Sequence, residues 1–391
     1  MSSASTSTWS LGRRTGPRRP RSQASGHWRP GTSPGYASLR RAASRSKSSA
    51  CTPDLSDRPT SHREAVQKVR GMFLQNVRLH LRPDVPLALA LSGGIDSSSV
   101  ACGVRAVEPN SDIHTFSYLA EDDALNEGRW TSAVNAQIGA IPHPVTIRAT
   151  DLAQDLDDAI RALGEPFGST SIFARYRVFQ EARRQGSRSC STARRPTRSS
   201  TATWGTRTSG CSRYCESETS SAQRSFFAPG ARGPEQWVRG RYMNSRLLEA
   251  MADGELATLL RHGDRNAMRW SAESRTPFLT TDLAENVLSM PKSFLVDPFD
   301  TTKSVLRDAM AGIVPADVFA RRDKIGFGTP QDMWMRHLAP QIPDWLDDLH
   351  LLPMLDVPAA RSLVLSAFKG DGPMSGPVWR ILCAARWARQ L

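Results

Sequence analysis

Ser92-Gly93-Gly94-Ile95-Asp96-Ser97-Ser98 is the stretch on which the fold of this chain turns. It follows the apolar run Pro86-Leu87-Ala88-Leu89-Ala90-Leu91 and opens a segment with Val100, Ala101, Val104 and Val107 at helical spacing. That order predicts a buried strand, a tight glycine turn and a helix N-terminus. A helix start exposes unpaired N–H groups and the positive end of its dipole, so it favours a phosphate. Two glycines let the backbone approach an anion closely. Ser92, Ser97 and Ser98 offer hydroxyl donors, and Asp96 can hold a Mg²⁺ against the phosphates. The plainer alternative is an ordinary strand–turn–helix corner with a serine cap. Glycine pair, acid and serines coinciding at one helix start favour the phosphate loop. The lettering departs from the Walker pattern G-x-x-x-x-G-K-[ST], because no Lys follows the second glycine.

The 391 residues suffice for one large domain or two small ones. No stretch of about 18 apolar residues occurs, so no membrane span is expected. The N-terminus is basic without an apolar core, unlike a secretory signal. Six cysteines, at positions 51, 102, 190, 211, 215 and 383, form neither a small-domain disulfide framework nor a paired zinc spacing. A reduced, cytoplasmic protein is expected. The net charge of +13 suggests nucleic acid until it is mapped. Residues 1–50 carry ten Lys/Arg and no acid, and residues 183–241 carry twelve Arg and three Glu. The body that holds the loop is therefore mildly acidic, and nucleic acid is not the expected partner of that body. Both basic segments are rich in Arg, Ser and Thr and poor in apolar periodicity, a composition associated with disorder.

Ile113-His114-Thr115-Phe116-Ser117-Tyr118 reads as a second strand and Pro144-Val145-Thr146-Ile147 as a third. Helices are expected over 126–139 and 151–163. Alternating strands and helices predict an α/β fold, a parallel sheet with helices on both faces, and beyond residue 240 the pattern becomes mainly helical. In such sheets ligands sit beyond the carboxyl ends of the strands, where Ser92–Ser98 falls.

The loop resembles the SGGxDS pyrophosphate loop of the N-type ATP pyrophosphatases, the PP-loop or adenine nucleotide alpha hydrolase-like group. Four further segments sharpen this. Leu259-Leu260-Arg261-His262-Gly263-Asp264-Arg265-Asn266-Ala267-Met268 and Glu273-Ser274-Arg275-Thr276-Pro277-Phe278-Leu279 are similar to the asparagine synthetase signature LLRxxDRNSM…EsRxPFLD. Glu165-Pro166-Phe167-Gly168-Ser169-Thr170-Ser171 and Arg322-Asp323-Lys324-Ile325-Gly326-Phe327 are similar to family segments. The resemblance covers about residues 60–186 and 240–340 and is strongest to asparagine synthetase-like proteins of polysaccharide and natural-product clusters. Lasso-peptide and β-lactam type cyclases share the loop.

The resemblance implies an ATP-dependent, AMP-forming amide synthetase. A carboxylate, that of aspartate or a related acid, is adenylated, and ammonia or an amine displaces AMP. Leu91 would pack near the adenine, with Ser117 also at the nucleotide. Ser92, Gly93, Gly94, Ser97 and Ser98 would cradle pyrophosphate, and Asp96 would be a Mg²⁺ ligand. Lys324 would neutralise phosphate charge, and Glu273 would position or deprotonate the amine. Residue chemistry leaves alternatives open: a structural ion pair for Glu273 and Arg275 near a helix end, a solvated charge run for Lys324, and a bracing role for Asp264 and Arg265. The acid that follows Pro-Phe-Leu in the family is Thr280 here. Residues that choose the acid are expected near Ser169–Phe173.

Two family features are expected to be missing. Ser2 stands where the glutaminase domain has its nucleophilic cysteine, and about sixty residues are too few for that domain. Ammonia would then come from a separate source. The second ATP loop, similar to L-D-G-Q-G-A-D-E, is also absent: no carboxylate lies between Glu181 and Glu216. Read one base earlier, with one choice of synonymous codons, Ser189 to Arg207 spells V-L-L-D-G-Q-A-P-D-E-V-L-D-G-Y-L-G-Y-E. Shifted the other way, Tyr36 to Ser46 spells T-P-A-F-A-E-L-P-A-G, which resembles the family's linker. The expected organisation is a basic segment over 1–58 and a synthetase domain over 59–391, interrupted by an aberrant stretch over 187–237. A reading-frame slip explains that stretch, and a true disordered insertion is the alternative. As written, the chain is expected to turn over poorly, and an inactive paralogue or a basic-arm RNA binder is the other functional class.

Overall fold

The computed structural model describes residues 59–81, 87–187, 189–192, 255–296, 302–321, 325, 327–371, 374 and 376–391. The basic segment 1–58 lies outside them, as does almost all of 187–237. The elements that place the site are α1 (His62–His80), β1 (Leu87–Ala90), α2 (Ile95–Val107), β2 (His114–Leu119) and α3 (Gly128–Ile138). They are followed by β3 (Ile141–Thr146), α4 (Ala149–Leu163), α5 (Thr170–Arg184), β4 (Ser189–Thr192), α6 (Glu255–Arg269) and β5 (Glu273–Arg275). Shorter helices follow, ending with Val357–Lys369 and Gly376–Ala388.

The five strands form one sheet in the order β3-β2-β1-β4-β5, and every pairing is parallel. Strand side chains alternate between faces, so β1 feeds two cores. Ala88 joins Phe116, Tyr118, Val145, Leu156, Phe173, Trp334 and Trp379 on one face. Leu89 and Leu91 join Phe73, Val77, Val100, Val104, Val287 and Leu306 on the other. Helix α1 shows why the second core forms: Ala65, Val69, Phe73 and Val77 recur every fourth residue and are all buried. Its start is fixed by Ser61, whose side chain accepts from the Glu64 N–H at 3.2 Å. The expected α/β architecture with a helical C-terminal part is what the chain adopts.

Three differences have physical reasons. β3 begins at Ile141, earlier than expected, because Pro142 and Pro144 argue against a strand in the sequence. They are tolerated because β3 is the edge strand, where a missing N–H faces outward. β4 is built from Ser-Cys-Ser-Thr and sits between β1 and β5, a position that parallel sheets usually fill with Val, Ile or Leu. The helix end expected around Glu273 and Arg275 is instead β5. Ser271, at φ 53°, turns the chain out of α6 into that strand.

Candidate active site

The loop after β1 leaves the sheet beside β2, where the Leu91 N–H donates to Phe116 O at 2.9 Å. Gly93 has φ +66°, the left-handed region that glycine enters freely. A Cβ there would stand 2.4 Å from Trp130 Cβ and 3.0 Å from the Thr131 nitrogen, so glycine is also required for space. Gly94 caps α2 without a side chain. The N–H groups of residues 95–97 belong to the first turn of α2 and have no acceptor within it. Ser97 Oγ accepts from the Ser92 N–H at 3.2 Å, lies 3.1 Å from Ser92 Oγ and donates to Gly94 O at 3.1 Å. It knits the loop into a fixed cradle. Ser98 Oγ and Ser117 Oγ are buried with no hydrogen-bond partner among the described residues. Two orphaned hydroxyls beside a helix N-terminus are the donors a phosphate-bearing ligand would satisfy.

Asp96 is buried and paired. Lys303 Nζ donates to its two carboxylate oxygens at 2.8 and 2.9 Å, and the side chains are only 4% (Lys303) and 9% (Asp96) exposed. Lys303 has φ 63° and immediately precedes the helix Ser304–Ala309. Sequence reasoning missed it. The available signal was scarcity: Lys303 is one of six lysines in a chain whose cations are otherwise arginine. A second buried pair, Glu127 with Arg321 at 2.7 Å, flanks the loop. Arg321 also lies over Trp130, its guanidinium carbon 5.2 Å from the ring centroid, and Trp130 is the residue closing on Gly93. Arg321 is thus anchored beside the residue that closes on the loop.

The remaining expected residues are more dispersed. Lys324 lies outside the described residues. Glu273 pairs in register with Ser189, which pairs with Leu87, placing it at the amino end of the sheet while the loop leaves the carboxyl end. Its carboxylate is 58% exposed and held by Arg275 at 2.9 Å, a bond that lowers its pKa. Residues 273 and 275 share one side of a strand, which brings this ion pair together. With Leu79, His80 and Thr276 they line an open depression separate from the loop. Arg265 braces the fold: its guanidinium donates to Leu163 O and stands 3.8 Å from Glu165. Phe173 is buried in the core, stacked on Tyr176 and edge-on to Trp334. Thr170 binds the chain that follows Phe327, with its hydroxyl 2.6 Å from Thr329 Oγ1.

Could these residues hold a metal? No group of three or more His, Cys, Asp or Glu among the described residues is arranged to bind one. Asp96 alone can supply a ligand, which suits Mg²⁺ held by one carboxylate plus substrate phosphates. No described helix is long and apolar enough to cross a membrane.

Comparison with known proteins gives a consistent result. The asparagine synthase family model matches residues 68–191 and, separately, 189–389. The break between the two matches falls on β4. Asparagine synthetase [glutamine-hydrolyzing] 1 of Bacillus subtilis is 22% identical over 393 aligned residues, covering 84% of this chain and 60% of that protein. Asparagine synthetase [glutamine-hydrolyzing] 3 of the same organism is 24% identical, covering 66% of this chain and 48% of that protein. Amidase chyE of Penicillium rubens is 34% identical over 123 residues, 28% of this chain and 18% of that protein. The chain spans three-fifths or less of the length of each of these relatives.

Proposed function

The chain belongs to the asparagine synthase family, and from that premise we propose that it binds ATP on the loop 91–98 and serves to activate a carboxylate for amide formation. The observation that carries this reading is the cradle itself: Gly93 locked against Trp130, Ser97 bonded across the turn, and the Ser98 and Ser117 hydroxyls without partners among the described residues.

A carboxylate resists attack by an amine because its oxygen is a poor leaving group. Joining it to the α-phosphate of ATP, with release of pyrophosphate, makes AMP the leaving group. This gathers several negative charges, so catalysis rests on fixed donors and cations. The first-turn N–H groups of α2 and the Ser92, Ser97 and Ser98 hydroxyls would hold the departing pyrophosphate, and Leu91 and Ser117 would meet the nucleoside end. Mg²⁺ would be held by Asp96 and would supply charge neutralisation. For Asp96 to take that role it would have to exchange Lys303 for the metal, and the Lys303 ammonium would then be placed to serve as a second cation for the phosphates. Lys324, three residues beyond Arg321, is proposed to neutralise phosphate charge as well. Glu273 has no direct part in this reading as the chain stands; it braces β5 through Arg275. Aspartate or a related acid, with ammonia or an amine, is the proposed substrate pair.

The polypeptide as written is proposed to be impaired. No carboxylate lies between Glu181 and Glu216, where the second ATP loop would supply acids. The family match also breaks at residues 189–191. Losing such a group removes several kcal/mol of transition-state stabilisation, and each 1.36 kcal/mol is about tenfold in rate. The test is calorimetry with Mg²⁺-ATP and assay of AMP and pyrophosphate from ATP, aspartate and ammonia. The present chain should bind ATP and make little AMP. A chain carrying the re-read 189–207 sequence should make AMP and asparagine. Failure of both chains to bind ATP overturns the proposal, and full activity of the present chain overturns the impairment.

A further inference from the structure

Lys303 Nζ donates to both carboxylate oxygens of Asp96, so each oxygen that a metal would use already accepts an ammonium hydrogen. Both side chains are buried. The other buried acid beside the loop, Glu127, is engaged by Arg321 at 2.7 Å. No group of three or more His, Cys, Asp or Glu among the described residues is arranged to hold a metal. The sequence adds no carboxylate between Glu181 and Glu216, where a second ATP loop would supply one. A metal at this loop therefore depends on Asp96, and Asp96 is already taken.

Charge balance sets what can displace Lys303. The two side chains neutralise each other. A divalent cation arriving alone would separate a buried ammonium from its carboxylate and stand with that ammonium at the positive end of the α2 dipole. Like charges repel strongly where water is excluded. A nucleoside triphosphate reverses the balance, because its phosphates bring more negative charge than the metal brings positive and offer oxygens to metal and ammonium together. Lys303 is placed for such an exchange. Its backbone is fixed at φ 63°, and its carbonyl accepts from the Arg307 N–H at 2.9 Å. On either side, Thr302 O accepts from Arg307 Nε at 3.1 Å and Ser304 Oγ donates to Phe294 O at 2.9 Å. Above that anchored backbone stands a flexible four-carbon stem, so Nζ can pass from Asp96 to a phosphate by side-chain rotation.

Resting on the activation reading above, we infer that Lys303 is an internal cation that makes metal binding at Asp96 conditional on nucleotide. Without ATP it occupies the carboxylate and excludes a divalent ion. With ATP it passes to the phosphates and leaves the carboxylate to the metal. Nucleotide and metal then strengthen each other's binding, by the same factor in both directions. Replacing Lys303 by a neutral residue opens Asp96 to a bare divalent ion and weakens that coupling.

The test reads Mn²⁺ binding on the full chain, from the loss of the free-ion electron paramagnetic resonance signal, for wild type, Lys303→Gln, Asp96→Asn and the double variant. Binding through Asp96 is the difference between a protein and its Asp96→Asn counterpart. Wild type should show none without nucleotide. With α,β-methylene-ATP, which cannot be cut between its first two phosphates, it should gain binding by about tenfold or more beyond the Mn²⁺ held by free nucleotide. Lys303→Gln should bind Mn²⁺ without nucleotide about tenfold or more tightly than wild type, and adding Asp96→Asn should abolish this. Binding through Asp96 by wild type without nucleotide overturns the inference, as does a Lys303→Gln protein that binds no more tightly than wild type. Where Lys303→Gln fails to fold, the wild-type measurements with and without nucleotide decide. Mn²⁺ binding released by Lys303→Gln in a chain that never binds the nucleotide keeps the exclusion and removes the nucleotide reading. Nucleotide binding by a wild type that takes Mn²⁺ through Asp96 unaided does the reverse.

Discussion

Lys303 Nζ bridges both carboxylate oxygens of Asp96 at 2.8 and 2.9 Å, across 207 residues of sequence. The pair closes the first turn of α2 with a cation and joins the glycine loop after β1 to the helix Ser304–Ala309. A buried pair of this kind is strongly destabilised when one partner is removed, because the charge that remains loses its counter-charge.

Lys303→Met is therefore expected to lower the unfolding free energy by about 3–5 kcal/mol. Asp96→Asn combined with Lys303→Met should recover more than half of that loss, since the carboxylate that loses its ammonium is then neutral as well. Urea unfolding of the three proteins checks it. Equal losses in the single and double variants would mean that the pair is not coupled.

Gly93→Ala meets two obstacles at once, a left-handed backbone and a Cβ 2.4 Å from Trp130. It should cost about 2–4 kcal/mol, combining backbone strain with overpacking, and should abolish ATP binding. Gly139→Ala is the control. Gly139 has φ +58° with nothing within 4 Å of an added Cβ, so strain alone, about 1–2 kcal/mol, should remain, with ATP binding intact.

Burial lowers the pKa of His262, and the neighbouring Glu165 opposes this without reversing it. The unfolded chain therefore binds more protons at this position than the folded one once pH falls below the ordinary value of about 6.5. The stability contributed by neutral His262 is fully present above that pH and is lost as pH falls toward the depressed folded-state value. His143, also lowered by burial, adds a slope of the same sign. Denaturation midpoints should fall between pH 7 and 5, and less steeply for His262→Gln. An identical slope in that variant would remove His262 as a source.

In β4, Cys190 is fully buried in the core shared with Phe116 and Phe173, and Ser191 is buried as well. A frame slip predicts that the neighbours evolved around leucine at both positions. Cys190→Leu with Ser191→Leu should then raise stability by about 1–3 kcal/mol through added apolar burial. If the strand is native as written, overpacking should lower it by a similar amount. Thermal melts decide the sign, and the coding DNA over codons 189–207 decides the cause.

Local pattern carried much of the architecture. The loop, β1, β2 and the helices over 128–138 and 149–163 are legible because period and punctuation agree there. β3 was under-read because two prolines hide an edge strand. β5 was taken for a helix end because three residues carry no period at all, and only pairing with β4 makes them a strand. At the site, Gly93, Ser97, Ser98 and Asp96 are contiguous and announce themselves. Lys303 and Arg321 do not, since nothing local distinguishes a cation whose acid lies across the fold.

By itself, the order of residues in this chain settled the family, the parallel sheet and the glycine turn after its first strand, because these depend on neighbours within a few positions and on alternation that any reader can count. Only the tertiary structure decided which charges meet across the fold: that Asp96 is held by Lys303, and that Glu127 is held by Arg321. The physical reason is range. Backbone conformation is chosen by local sterics and burial, whereas ion pairs between distant segments exist only once packing has fixed the distance between them and removed the water that would screen them.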